Sequence, residues 1–323
     1  MAETCTIVVD VGSSSVKAGY AGDDVPSSIF PSCMQRCGPA VEYFEADGSD
    51  AGTNAHPVSR GEVKDWDQME KLWQRIMDKI GLTSPDSASV LIVESPRATV
   101  AERSKWAEML FEKSVPSICF GNSGPLSLFA SGRTTGMVVE CGAGLTSVTP
   151  IFEGLSLTHA NITMEYGGQD ITSNFRTILK HNQYTIDYVD ARMLKEKMAE
   201  VYVPSKDLVY HAPADNKQFE LPDGTQVTVP KKVFTDCTEP LFRNDHPFPA
   251  GLTVQAYEAL RLCDDSIRKD LSHNVVVAGG TSLLPGLGDR LQVELQQRIN
   301  SEAKANKSST AHEVRVVPNS RYR

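Results

Sequence analysis

An α/β fold made by internal duplication is what this sequence predicts, and three observations carry that reading. One local pattern occurs twice: Thr6-Ile7-Val8-Val9-Asp10-Val11-Gly12-Ser13-Ser14-Ser15, and Gly136-Met137-Val138-Val139-Glu140-Cys141-Gly142-Ala143-Gly144-Leu145. Each copy is an apolar β-branched run, an acid and a small-residue turn. Each then enters a second strand, Val16-Lys17-Ala18-Gly19-Tyr20-Ala21-Gly22 in the first copy and Thr146-Ser147-Val148-Thr149-Pro150-Ile151 in the second. Recurrence at that wide separation points to a duplicated domain. Strands also alternate with helical patterns between and after the two copies, as in parallel or mixed sheets. Finally, the apolar run Asn274-Val275-Val276-Val277-Ala278 ends in Gly279-Gly280-Thr281, a third strand-to-turn junction.

The elements follow in order. After the first hairpin, the stretch from Tyr43 to Pro57 turns to Glu, Asp, Gly, Ser, Asn and Ala and reads as a mobile surface insertion, with a plain loop of no role as the equal alternative. Asp65 caps a helix with Trp66, Met69, Leu72, Trp73, Ile76, Met77 and Ile80 at helical spacing, all core residues by this reading. Val90-Leu91-Ile92-Val93 is a buried strand, Thr99 to Lys113 a helix, and Ser117-Ile118-Cys119-Phe120 another strand. After the second hairpin, Tyr166-Gly167-Gly168-Gln169-Asp170 opens a helix, and the Asp223-Gly224 pair signals a further hairpin. Thr253 starts a helix through Leu262. The Gly279-Gly280 junction is expected to open directly into a helix carrying Leu287, Leu291, Leu295 and Ile299, and Ser301 to His312 reads as a polar surface loop.

Composition narrows the function. The chain has 323 residues, enough for two domains or one two-lobed body, with 40% apolar residues. No apolar stretch is long enough to span a membrane. The net charge of −9 argues against a general grip on nucleic acid. Seven scattered cysteines suggest free thiols in a reducing compartment. Cys33 and Cys37 are four apart, yet no second pair or nearby histidine completes a zinc site. The start, Met1-Ala2-Glu3-Thr4-Cys5, shows neither a basic region nor a cleavage pattern, and no basic nuclear-targeting run is present, so a cytoplasmic setting is expected, with a nuclear one left open.

The junctions carry the chemistry. Small residues at a tight turn let backbone N–H groups approach an anion, and an acid at the strand end can hold a hydrated divalent cation. Two such hairpins facing each other would grip a nucleotide's phosphates. A Gly-Gly pair alone is usually only a turn, but three such junctions in order favour nucleotide binding.

At this point the chain resembles actin and the actin-related proteins, within the class that also holds sugar kinases and the seventy-kilodalton chaperones. The matching stretches are Lys17-Ala18-Gly19-Tyr20-Ala21-Gly22-Asp23-Asp24, Trp66-Asp67-Gln68-Met69-Glu70-Lys71-Leu72-Trp73, Leu126 through Gly136, Glu220-Leu221-Pro222-Asp223-Gly224, Ile267-Arg268-Lys269-Asp270-Leu271 and Gly279-Gly280-Thr281. They cover nearly the whole chain in the family's order. The resemblance implies a duplicated actin-like, ribonuclease H-like fold with two lobes around a cleft for ATP or ADP with Mg or Ca. The first lobe would run over 1–131 with a divergent insertion at about 33–57, and the second over 132–313 with its outer subdomain at about 167–255. Residues 314–323 would return, truncated, to the first lobe. Carried over by position, Asp10 would hold the cation through water, Gly12, Ser13 and Ser14 would face the phosphates, and Lys17 would reach the terminal ones. Gly142, Ala143 and Gly144 would face the same phosphates, while Gly168, Lys195, Glu196, Gly279, Gly280 and Thr281 would surround ribose and adenine. For Lys195 and Glu196 a solvated helix face remains the alternative.

Departures from the family pattern bear on mechanism. Its water-positioning glutamine aligns with Ser123, a histidine after the second hairpin is Ser147, the acid there is the longer Glu140, and a second acid is Ala143. Phosphoryl transfer depends on positioning and charge stabilisation, and misplacing either costs about 100-fold or more. The resemblance therefore implies a slow or inactive ATPase. Ser14 replaces a glycine and crowds the phosphate loop, and Leu284 stands where an aromatic stacks near adenine. The segment Cys33 to Pro57 shares almost nothing with the loop that actin uses to grip its filament neighbour, Arg60 replaces a histidine, and the chain stops at Arg323, all of which argue against homofilament growth. The expectation is a nucleotide-clamped subunit of a cytoskeletal or chromatin-associated assembly, with other protein subunits, actin or actin-related proteins among them, as partners. The alternatives are an active polymerising ATPase, a pseudo-actin with an empty cleft, and a small-metabolite kinase, for which no acid stands beside an acceptor hydroxyl.

Overall fold

The computed structural model describes residues 5–37, 40–42, 54–204, 216–220, 224, 226–243, 250–306 and 312–318. The chain divides into two compact units, Met1–Leu126 and Ser127–Arg323.

In the first unit, strands Cys5–Val11 and Ser15–Tyr20 pair antiparallel, and Ser28–Pro31 adds to the outer side of the second. On the other side of Cys5–Val11, strands Ala88–Glu94 and Ile118–Asn122 run parallel to it. Two helices connect these parts. Trp66–Ile80 starts where the Asp65 carboxylate accepts the Gln68 N–H, and it ends at Gly81, whose φ of 72° supplies the left-handed cap. Val100–Glu112 is capped by the Thr99 hydroxyl accepting from the Glu102 N–H. Ile7, Val9, Val90 and Ile92 are all but inaccessible beneath Met69, Leu72, Trp73 and Ile76, and each such burial contributes roughly 1.5–3 kcal/mol. Trp66 and Trp106 meet edge to face, with ring centroids 5.7 Å apart, and so join the two helices.

The second unit repeats the plan. Strands Gly136–Cys141 and Thr146–Phe152 pair antiparallel, Leu155–Ser156 extends the hairpin side, and Val275–Ala278 followed by Val316–Pro318 run parallel on the other. The helix before the first parallel strand is Asp265–His273, and the helix between the two is Leu287–Asn306. Central strand, antiparallel partner, then helix, parallel strand, helix, parallel strand: this common order is the duplication. Its sheet is covered on both faces, as parallel strands require. Met137, Val139, Val275 and Val277 enter the large core with Leu271, Leu287, Leu291 and Leu295, while Val138, Val276 and Ala278 meet Leu128 and Ile151 behind. Helices Gly168–His181, Tyr188–Met198 and Lys231–Asp236 extend this core, with the Phe234 ring 5.4 Å from Phe175 and 6.0 Å from Phe219.

Several expectations need correction. Val316–Pro318, assigned from sequence to a return toward the first lobe, closes the second sheet, because its β-branched pair Val316-Val317 completes the parallel edge beside Val275 and Val276. Helix Leu287–Asn306 takes in the first six residues of the stretch read as a loop from Ser301, since Glu302, Ala303, Lys304 and Ala305 are strong helix formers whatever their polarity. Gly279-Gly280 does not open into that helix: a 3-10 turn, Gly280–Leu283, intervenes. Met34–Cys37, Ala40–Glu42 and Asn54–Ala55 form a small three-stranded sheet, while residues 43–53 of the mobile insertion read from sequence lie outside the described residues. Asn216–Glu220 and Gln226–Pro230 pair antiparallel around Gly224, which takes a φ of 83°.

Candidate functional site

The first hairpin builds its charge pair by register. Asp10 lies opposite Lys17, and the ammonium donates to Asp10 Oδ2 at 3.0 Å. With both side chains over a third exposed, the pair is worth at most about 1 kcal/mol, so it remains available to a ligand. Two residues on, the Gly12 N–H donates to Ser15 O at 3.0 Å, and a Cβ there would stand 3.2 Å from that oxygen. Ser13 is buried in the turn, and the Ser32 N–H donates to Ser14 O at 3.1 Å, bracing the turn from the neighbouring segment.

The second hairpin repeats the bond that closes this turn. The Gly142 N–H donates to Leu145 O at 2.9 Å, and a Cβ on Gly142 would stand 3.0 Å from that oxygen. In the position equivalent to Asp10 and Lys17, Glu140 lies opposite Ser147. The Ser147 hydroxyl, 3% exposed, donates to Glu140 Oε2 at 3.4 Å, and the Ser127 hydroxyl donates to Oε1 at 3.0 Å. Cys141 ends the strand, and burial pushes its thiol up to about 12, so it stays an inert thiol.

Around this turn the second unit gathers its other predicted residues. The Gly168 and Gln169 N–H groups donate to Gly142 O and Ala143 O at 3.0 and 2.8 Å. The Thr281 hydroxyl donates to Gly142 O at 2.8 Å, and the Lys195 ammonium donates to Gly168 O at 3.0 Å. Gly168 must be glycine, since a Cβ would meet Thr281 Oγ1 at 2.6 Å. Lys195 is only 8% exposed, and burial holds its pKa below the ordinary lysine value of 10.5. Gly279 takes a φ of 84° with its Cβ position 2.4 Å from Cys141 O, whereas the Cβ position of Gly280 meets open space. Only one of the two glycines is thus demanded by the protein's own atoms.

Two turns built alike, at equivalent places in two sheets of one order, each with a strand-end acid, narrow the chain to folds made by this duplication. A family model described as Actin matches residues 1–192 and 187–318. The chain belongs to the actin family.

That family generally binds ATP or ADP with a divalent metal, and the residues here fit such a group in part. Gly280 leaves bare backbone with room beside it, Lys17 offers a cation for terminal phosphates, and Asp10 offers one carboxylate for a hydrated cation. Among the described residues no three His, Cys, Asp or Glu side chains cluster, so a cation held at Asp10 would complete its shell from water and phosphate oxygens, as magnesium does. Glu196 pairs instead with Arg192 one turn back, at 2.8 Å on a solvated face, which separates it from its buried neighbour Lys195. Leu284, read from sequence as standing where an aromatic stacks near adenine, is 8% exposed within the core, and its neighbour Leu283 is 48% exposed. Sequence reasoning missed Ser127, because no spacing rule joins it to Glu140.

Proposed function

We propose that this chain is a nucleotide-binding, structural actin-family protein with little or no ATP hydrolysis, acting as a subunit of a larger cytoskeletal or chromatin-associated assembly. One observation carries the reading: the side chain opposite Glu140 in the second hairpin is a buried serine turned onto that acid. By the family pattern this position and that of Ser123 belong to residues that aim water at the terminal phosphate. A serine hydroxyl is shorter than the histidine or glutamine expected there, and Ser147 is committed to Glu140. Phosphoryl transfer relies on such positioning, so turnover suffers while binding does not.

Bound ATP would supply a reactive terminal phosphoryl group; the residues described here bind and orient rather than activate water. In the first hairpin, Lys17 and the amides after Gly12 supply positive charge for phosphates, with Asp10 holding a hydrated Mg or Ca. In the second, Gly142, Ala143 and Gly144 present backbone. Lys195, Gly168, Gly279, Gly280 and Thr281 shape the nucleoside side. Ligand that binds only the folded chain stabilises it by mass action, with about 2.7 kcal/mol gained at a hundredfold excess over Kd, so a clamp needs no turnover. The partners are other protein subunits, and the setting is cytoplasmic for a cytoskeletal assembly or nuclear for a chromatin-associated one.

Mass spectrometry of nucleotide extracted from protein purified under native conditions tests this. Near-stoichiometric ATP or ADP is expected. Protein without bound nucleotide contradicts the clamp, and phosphate release coupled to sedimenting polymer would instead identify an active, polymerising ATPase.

A further inference from the structure

The second unit holds a cleft that shares no residue with the nucleotide-facing set. Helix Leu287–Asn306 buries Leu287, Leu291, Leu295 and Ile299 in the core, and a separate stripe of it carries Glu294, Gln297, Arg298, Ser301 and Glu302 at i, i+3, i+4, i+7 and i+8. That stripe lines a cleft of about 610 Å³, whose other walls are Pro204 and, from helix Leu252–Arg261, Tyr257. At 1.5 Å of rise per residue the stripe is roughly 12 Å long, the span of three or four residues of extended chain.

The charges along this cleft differ in what they can offer a ligand. Glu294 is committed within the fold, with Oε1 accepting from Arg290 Nε at 2.7 Å and Oε2 from the Thr253 hydroxyl at 2.8 Å. Glu302 accepts from the Tyr257 hydroxyl and lies 3.9 Å from Arg261 Nε. Burial, with Glu302 adding to it, pushes the Tyr257 phenol up to about 12, so the ring stays neutral. The Ser301 hydroxyl donates to Gln297 O at 2.7 Å. By contrast, the Arg298 guanidinium and the Gln297 side-chain amide make no hydrogen bond or ion pair among the described residues.

Two partnered carboxylates and one uncommitted cation leave room for a single negative charge. A guanidinium fork matches a carboxylate through two parallel bonds, with geometry that an ammonium lacks. A phosphomonoester carries nearly two charges and would be repelled more strongly by Glu294 and Glu302. We propose that this cleft binds an extended acidic segment of a partner protein, with an aspartate or glutamate side chain on Arg298 and Gln297 and the flanking apolar residues against Pro204 and Tyr257. The site is independent of nucleotide binding.

Calorimetric titration of the full chain with two blocked tripeptides tests this, one with glutamate and one with glutamine between two leucines. The glutamate peptide is expected to bind about tenfold more tightly or better, the advantage of charge-assisted over neutral hydrogen bonds. In Arg298→Ala the two peptides should bind alike. In Arg298→Lys, which keeps the charge without the fork, the preference should shrink to a few-fold. Because Arg298 makes no bond within the described fold, both variants should melt at the temperature of the native chain. Equal affinities in the native chain, no binding of either peptide, or a preference that survives Arg298→Ala overturns the inference. Glutarate binding as tightly as the glutamate peptide would overturn it by marking a site for free carboxylates, and tighter binding of a phosphoserine peptide would overturn the choice of carboxylate.

Discussion

Gly279→Ala and Gly280→Ala, one residue apart, should have opposite effects. Gly279 has φ 84° and ψ 158°, a region essentially reserved for glycine, and forcing another residue there costs on the order of 1–3 kcal/mol. The new methyl would also sit 2.4 Å from Cys141 O, an atom of the central strand's backbone that no rotamer change can move, adding roughly 1–3 kcal/mol of overpacking. A total loss of about 2–6 kcal/mol lowers the melting temperature of a unit this size by about 4–24 °C. At Gly280 the methyl meets open space in a helical turn, so Gly280→Ala should be neutral or gain about 0.4–1 kcal/mol by restricting the unfolded chain. The same methyl projects from the bare backbone proposed to face the nucleoside and should weaken nucleotide binding. Differential scanning calorimetry with and without ADP reads both effects. Equal melting temperatures for the two variants, or a Gly280→Ala protein that binds ADP like the native chain, would refute the assignment of one glycine to the fold and the other to the ligand.

Arg290 sits 7% exposed between Glu239 and Glu294, over the Phe242 ring at 4.2 Å. Arg290→Ala leaves two half-buried carboxylates without their cation, and a loss of about 3–5 kcal/mol in urea unfolding is expected; an unchanged midpoint would show that the cluster is solvated. The depressed pKa of Lys195 means that its contribution to stability is complete above the ordinary value of 10.5 and is lost as pH falls through the lower folded-state value. Unfolding free energy of the native chain should therefore rise with pH across that window, and Lys195→Met should flatten the rise; parallel pH profiles would contradict the burial argument. Replacing the hydroxyls by the longer groups of the family pattern, in Ser123→Gln with Ser147→His, should raise single-turnover phosphate release by about tenfold or more; no change would mean that water positioning is not what limits hydrolysis.

Local chemistry made part of the fold legible and nonlocal pairing hid the rest. Asp65 announces its helix because a capping side chain and the apolar spacing that follows are read within one turn, and the observed cap bond to Gln68 is the same signal in space. The two hairpins were visible because alternation, acid and small-residue turn all lie within fifteen residues. Val316–Pro318 was misplaced because three residues of parallel edge strand carry no mark of which sheet they join; only Val275 and Val276 across the ladder decide it. Leu283 and Leu284 differ by one position, yet the first is exposed and the second buried, because a 3-10 turn shifts the phase that a helical period assumes. Ser127 reaches Glu140 only once helix Ser123–Ala130 and strand Gly136–Cys141 are in place.

The most direct test loads the native protein with ATP labelled at its terminal phosphate, removes free nucleotide, and follows bound ATP and released phosphate by acid quench at protein concentrations that promote assembly. The proposed account predicts that label stays bound as intact ATP while the chain remains folded. Phosphate released in one rapid turnover, with Ser123 and Ser147 unaltered, would contradict it.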